Sequence, residues 1–288
     1  MKKFKFASLA MAAVMALSLA GCGADASHSA ESTSSSAASE SSSADTSASA
    51  TADNESGTFT VGFDQDFPPM GYKDDNGDFT GFDLDLAAEA ANRLGLKIVY
   101  QPIAWDSKDA ELDAGTIDCI WNGFTMNGRE DDYEWSVPYL DNTQVFVVAE
   151  DSDIQSAADL AGKTVEVQAD SSAEAALAED ENAELAASIG TIQTTPDYNT
   201  ALMDLDMGAV DAVAMDSTVA EYKITSGGLK LRVLDDAFAS EEYGIGFKKG
   251  NTELRDKVNT VLQEMAEDGT MAEISEKWFG EDITTVGK

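Results

Sequence analysis

A single histidine, His28, and two cysteines, Cys22 and Cys119, limit the chemistry this sequence can perform. His28 sits in a low-complexity stretch, so Ser-His-Asp and Cys-His catalysis lack their base and a histidine-based metal site lacks its ligand. Cys119 lies in the apolar run Ile117-Asp118-Cys119-Ile120-Trp121, where a thiol behaves as a small buried hydrophobe. Carboxylates are plentiful: 54 acids face 18 lysines and arginines, for a formal net charge of −36. Such a surface repels phosphate backbones, which excludes nucleic acid as a partner. The run Asp74-Asp75-Asn76-Gly77-Asp78 lacks the ligand spacing and closing glutamate of a calcium loop, so it reads as a hairpin turn. Two places suit the capture of charge. Ser171 and Ser172 precede a helix expected to begin near Ala173, where free backbone N–H groups favour an anion, although simple N-capping also accounts for serines there. Asp216 ends a strand expected over 209–215, and ligands of open parallel sheets sit at the C-terminal ends of strands, although an aspartate there also commonly caps a helix.

The elements that position these residues follow from hydrophobic periodicity. From residue 58 onward, short β-type runs alternate with helical patterns, the signature of an α/β fold with a largely parallel sheet. Phe59, Val61 and Phe63 alternate onto one face of a strand over 58–63. Leu86, Ala90 and Leu94 share one face of a helix over 83–94. Further strands are expected at 97–102, 118–122, 144–148, 164–168, 209–215 and 243–247, with helices between them. The rhythm restarts near Lys163, a hint of two similar lobes.

The amino-terminal segment has a different character. Lys2, Lys3 and Lys5 precede an apolar run, 6–17, that is too short to span a bilayer, so residues 1–21 read as a secretion signal. Its end, Leu19-Ala20-Gly21-Cys22, resembles the lipobox of bacterial lipoproteins, which implies cleavage before Cys22, acylation of its thiol and a lipid anchor in the membrane. Residues 22–56 are serine, alanine and acidic residues without an aromatic, a composition that cannot offset its ordering entropy and reads as a disordered tether.

Several segments in order resemble the amino-acid-binding branch of the bacterial extracellular solute-binding proteins, the group that includes the glutamine- and histidine-binding proteins. They are Phe67-Pro68-Pro69, Gly81-Phe82-Asp83-Leu84-Asp85-Leu86, Trp105-Asp106, Gly123-Phe124-Thr125 with Arg129, Gln168-Ala169-Asp170-Ser171-Ser172, Asp211-Ala212-Val213, Tyr243-Gly244-Ile245-Gly246-Phe247 and Lys277-Trp278-Phe279-Gly280. The resemblance implies a two-lobed periplasmic-binding-protein fold of type II. Each lobe would be a mostly parallel sheet flanked by helices, and two crossing strands, 144–148 and 243–247, would join them. Residues 57–147 and 240–288 would form one lobe and 148–239 the other, closing on a ligand between them.

The resemblance also implies roles. Arg129 would grip an α-carboxylate, with Thr125, the backbone of Gly123, and Ser171 and Ser172 adding polar contacts. Asp216 would accept the α-ammonium, Phe67 and Trp105 would sandwich the side chain, and Asp64 would meet its end, slightly favouring a polar or basic ligand. Arg129 could alternatively pair with Glu130, Asp131 or Asp132 at the surface. Two features depart from the family pattern: the Thr125–Arg129 loop is one residue shorter, and Asp170 stands where glycine is common. The implied protein is a monomeric, membrane-anchored subunit that hands a free amino acid to the permease of an ATP-driven ABC importer, with no cofactor, metal or catalysis. The alternatives are an enzyme on the same fold, similar to cyclohexadienyl dehydratase, and a ligand-sensing domain for a membrane partner.

Overall fold

Alternation decides the first strand: in Thr58–Phe63 the side chains of Phe59, Val61 and Phe63 are fully buried. The computed structural model describes residues 57–288, so the signal segment 1–21, Cys22 and the tether lie outside the described residues. Thr58–Phe63 runs parallel to Lys97–Pro102 on one side and to Cys119–Thr125 on the other. Helix Phe82–Leu94 covers this trio, burying Leu86 and Ala90 while Leu94 packs at the margin of the core. It stops at Gly95, whose left-handed φ of 68° lets its N–H bond back to the last helical carbonyls.

A second trio repeats the arrangement. Thr164–Gln168 lies parallel to both Thr191–Thr195 and Ala212–Asp216, and Val165, Val167, Ala212 and Ala214 join Phe146, Val148 and Leu160 in their own apolar cluster. Between the trios run two long antiparallel strands, Leu140–Ala149 and Ala239–Phe247. One continuous sheet results, in the order Thr191–Thr195, Thr164–Gln168, Ala212–Asp216, Leu140–Ala149, Ala239–Phe247, Cys119–Thr125, Thr58–Phe63, Lys97–Pro102. A larger cluster spreads from Phe59 and Trp121 through Tyr243 and Val145 to Met215 and Leu202, so the lobes share packing where the strands cross.

Three strands match expectation residue for residue, at Thr58–Phe63, Lys97–Pro102 and Thr164–Gln168. The crossing strands differ. Both begin earlier than expected, and they pair with each other through the polar residues that precede their apolar cores, from Leu140↔Tyr243 to Gln144↔Ala239. Strand Thr191–Thr195 was not expected at all. The turn at Asp74 is a hairpin as expected, joining the short strands Gly71–Lys73 and Phe79–Thr80. There Asp74 Oδ1 accepts the main-chain N–H groups of Asn76 at 2.9 Å and Asp78 at 2.8 Å, so its oxygens serve the turn. Among the described residues no helix is long and apolar enough to cross a membrane.

Candidate functional site

The C-terminal end of Cys119–Thr125 forms one wall of a cleft, and its shape depends on a fully buried acid. Asp83, in the first turn of helix Phe82–Leu94, accepts the main-chain N–H of Gly123 at 2.6 Å and the hydroxyl of Tyr139 at 3.0 Å. Burial pushes its carboxyl up to about 7, because the charged form loses its water. This anchor holds Gly123 at φ 57°, a left-handed conformation that glycine adopts without strain. A Cβ there would lie 3.0 Å from the ring of Phe67, so the missing side chain lets that aromatic close over the strand end.

Beyond the strand end, the chain turns and Arg129 comes back over the cleft. Its N–H bonds the carbonyl of Met126 at 3.0 Å, and its own carbonyl accepts the indole N–H of Trp135 at 2.9 Å, which fixes the backbone of the loop. The guanidinium lies 5.3 Å from the centroid of the Phe124 ring. It donates at 3.4 Å to the carbonyl of Thr125 and at 3.4 Å to that of Asp170 on the opposite lobe. Among the described residues it forms no ion pair, so the surface pairing with Glu130, Asp131 or Asp132 is not made. Long bonds to neutral carbonyls leave a planar cation with donor capacity for a carboxylate.

The anionic side is deeper. Asp216 is the residue before helix Ser217–Gly227, yet its side chain makes no capping bond. It turns inward, where Oδ1 accepts from Tyr243 Oη at 2.6 Å, Gln144 Nε2 at 2.9 Å and Asn142 Nδ2 at 3.1 Å. The helix start is served instead by Asn142 Oδ1, which accepts the N–H of Thr218 at 3.3 Å. Burial, and then the charge of Glu241, push the Asp216 carboxyl well above the usual carboxylate range. Glu241, on the crossing strand, accepts from the same two amides through Oε1, Asn142 at 2.6 Å and Gln144 at 2.8 Å, and from Thr125 Oγ1 through Oε2 at 2.8 Å. No motif in the sequence marks Glu241 for this position.

The opposite wall comes from the second lobe. Ser171 caps helix Ser172–Ala178 by accepting the N–H of Glu174 at 3.2 Å, and Ser172 Oγ accepts from Gln144 Nε2 at 3.0 Å. Both serines thus have local partners while facing the cleft. Asp170 takes φ 57°, and Lys108, which is 1% exposed, crosses from the first lobe to pair with its carboxylate. The charge added by having aspartate in place of glycine is thereby matched. Trp105, at the start of the short 3-10 helix Trp105–Ser107, packs edge-on against Phe124 with centroids 5.4 Å apart.

The space left between these walls is about 10 Å³, roughly room for one water, and is lined by Phe67, Trp105, Gly123, Thr125, Arg129, Ser171, Ser172 and Asp216. Asp64 is the one candidate outside the lining. It sits behind it, accepting from Gln168 Nε2 at 2.7 Å, with burial raising its carboxyl to about 6. Two lining residues went unassigned, Asn122 and Gln168. Asn122 Nδ2 is buried without a partner, and the available signal was a polar residue interrupting an apolar strand.

The protein family described as bacterial extracellular solute-binding proteins, family 3, matches residues 59–281. The L-cystine-binding protein TcyJ of Escherichia coli is 34% identical over 80% of this chain and 85% of its own length. TcyA of Bacillus subtilis, also an L-cystine-binding protein, is 35% identical over 80% of this chain and 84% of its length. Among solved structures, an ABC uptake transporter substrate-binding protein from Streptococcus pneumoniae with bound histidine superposes with a TM-score of 0.76 at 36% identity, covering 80% of this chain and 95% of that one. The order of strands, the charged cleft and these likenesses agree, and this chain belongs to family 3 of the bacterial extracellular solute-binding proteins.

Proposed function

We propose that this protein captures a free amino acid between its lobes and delivers it to the permease of an ATP-driven ABC importer. One observation carries the reading: a single cavity is lined both by Arg129, which has no anionic partner among the described residues, and by the buried carboxylate of Asp216. An α-amino acid presents a carboxylate and an ammonium at fixed separation, so opposed charges recognise it as a pair. In this reading Arg129 takes the carboxylate, with Thr125, Gly123, Ser171 and Ser172 beside it, and Asp216 takes the ammonium. Phe67 and Trp105 flank the side chain. Relatives that bind L-cystine and a structure that holds histidine support an amino acid with a polar or charged side chain.

Residues 57–147 with 240–288, and 148–239, serve as the closing lobes, hinged where Leu140–Gln144 pairs with Ala239–Tyr243. Cys22 carries the lipid that keeps the protein at the outer face of the membrane. Changing Cys22→Ser then releases it to the medium, and continued recovery from the membrane fraction would reject the anchor. Affinity is micromolar or tighter, about −8 kcal/mol. The direct test is a thermal-shift screen of protein stripped of carried-over solute, against the common amino acids and L-cystine. A shift with one or a few, and recovery of that ligand chemically unchanged, is expected; a converted product would instead reveal an enzyme.

A further inference from the structure

Two carboxylates at the floor of the cleft share neutral donors and have no cation between them. Asn142 Nδ2 and Gln144 Nε2 each bond both Asp216 Oδ1 and Glu241 Oε1, at distances from 2.6 to 3.1 Å. Asp216 is 2% exposed and Glu241 5%. Every other group packed against them is neutral at pH 7: Thr125 from the first lobe's strand end, Tyr243 beside Glu241 on its strand, Ser172, and Tyr198 at the start of helix Tyr198–Asp206. The remaining charged residues nearby are Asp64, an acid tied to Gln168, and Arg129, which lines the same cavity but bonds the carbonyls of Thr125 and Asp170 at 3.4 Å and pairs with neither acid. Among the described residues neither acid has an ion pair. Two like charges in a water-poor site do not both ionise unless a cation joins them.

We propose that Glu241 and Asp216 together hold one proton in the unliganded cleft and release it to solvent when a ligand ammonium arrives, so that ligand capture is proton-coupled and Glu241 is a positioning residue of the ammonium site. The proposal rests on the reading of the cleft as an amino-acid site. The exchange balances: one carboxyl and one carboxylate meet R–NH3⁺, both acids end as carboxylates around the ammonium, and H⁺ goes to water. Binding then strengthens as pH rises, by up to about tenfold per pH unit while the pair still carries its proton. Glu241 acts through the shared amides and through Thr125, because Asp216 and Thr125 line the cavity and Glu241 stands behind them.

The test is calorimetry at pH 7.0 in phosphate and in Tris, buffers of different ionisation enthalpy. The probes are L-arginine, L-glutamine and L-cystine, used on protein freed of carried-over solute. The difference in heat counts protons, and about one released per ligand is expected. Glu241→Gln removes the like charge and leaves burial alone to hold the proton on Asp216, so the release falls below the wild-type count, and Glu241→Asp restores it. Glu166→Gln, which changes a buried acid of the second lobe outside the cavity lining, leaves the count unchanged. Wild-type heats that do not depend on buffer overturn the proposal even where no variant folds, as does a full wild-type proton count in Glu241→Gln or its loss in Glu166→Gln. No thermal shift with any common amino acid or L-cystine defeats the amino-acid reading itself, which is a different outcome from binding without proton release.

Discussion

The indole N–H of Trp105 donates to the main-chain carbonyl of Asp170 at 3.1 Å, joining one lobe to the other at the edge of the cleft. Lys108 reaches the same residue and pairs with its carboxylate, and Arg129 bonds its carbonyl. Asp170 is therefore where three side chains of the first lobe converge on the second.

Removing the charge of this tie while keeping its packing gives the first prediction. In Lys108→Met the buried stem is replaced by a similar apolar side chain, and Asp170 is left as an unmatched negative charge near the carboxylate site. Affinity for a zwitterion falls about tenfold, mainly through faster dissociation. Adding Asp170→Gly removes both the charge and the left-handed strain and recovers most of the loss. Stopped-flow release measured on both variants checks this, and a single variant as tight as wild type counts against it.

Gly123→Ala tests the strand end. The new methyl would meet Phe67 at 3.0 Å, Tyr243 at 3.1 Å and Met70 at 3.3 Å, on a backbone at φ 57° that alanine tolerates poorly. A stability loss of about 1–3 kcal/mol in urea unfolding is expected, with weakened ligand response because the Phe67 ring is displaced. Unchanged stability would mean that the strand end is looser than described.

Stability should depend on pH in an unusual direction. Burial raises the carboxyls of Asp83 to about 7 and Asp64 to about 6, and holds that of Asp216 well above its ordinary value. A folded pKa above the unfolded 3.8 means that the native state holds the proton more tightly. The resulting stabilisation is complete below the unfolded value and is lost as pH rises through the folded one. Asp268, held at about 2 by Arg93 and Thr270, completes its own transition below this window. The ligand-free protein should therefore melt higher at pH 5.5 than at pH 8, by on the order of 5 °C, and Asp83→Asn should flatten the difference. A midpoint that rises with pH over this range would falsify the assignment.

How far the sequence revealed this arrangement varied with burial. Thr58–Phe63 and Thr164–Gln168 were legible because their apolar residues fall on buried faces. Thr191–Thr195 was not, since four of its five residues are exposed and it pairs on one side only, leaving no alternation to read. Ser240-Glu241-Glu242 looks like a solvated approach to the apolar strand, and only the fold sets Glu241 between Asn142 and Gln144. Asp83 likewise reads as an acid suited to the first turn of a helix, and its bond to Gly123 joins residues 40 positions apart. The cavity-lining candidates were carried by the family resemblance, and periodicity alone would have left Phe67 and Trp105 as core.

Calorimetry on Arg129→Ala tests the account most directly. The substitution removes the cation that faces Asp216 in the cavity without touching an ion pair of the described fold. With two charge-assisted hydrogen bonds at stake, affinity for the amino acid that shifts the wild type should drop at least about 100-fold, while the ligand-free melting temperature stays the same. Binding as tight as wild type in a folded Arg129→Ala protein would show that the carboxylate is held elsewhere.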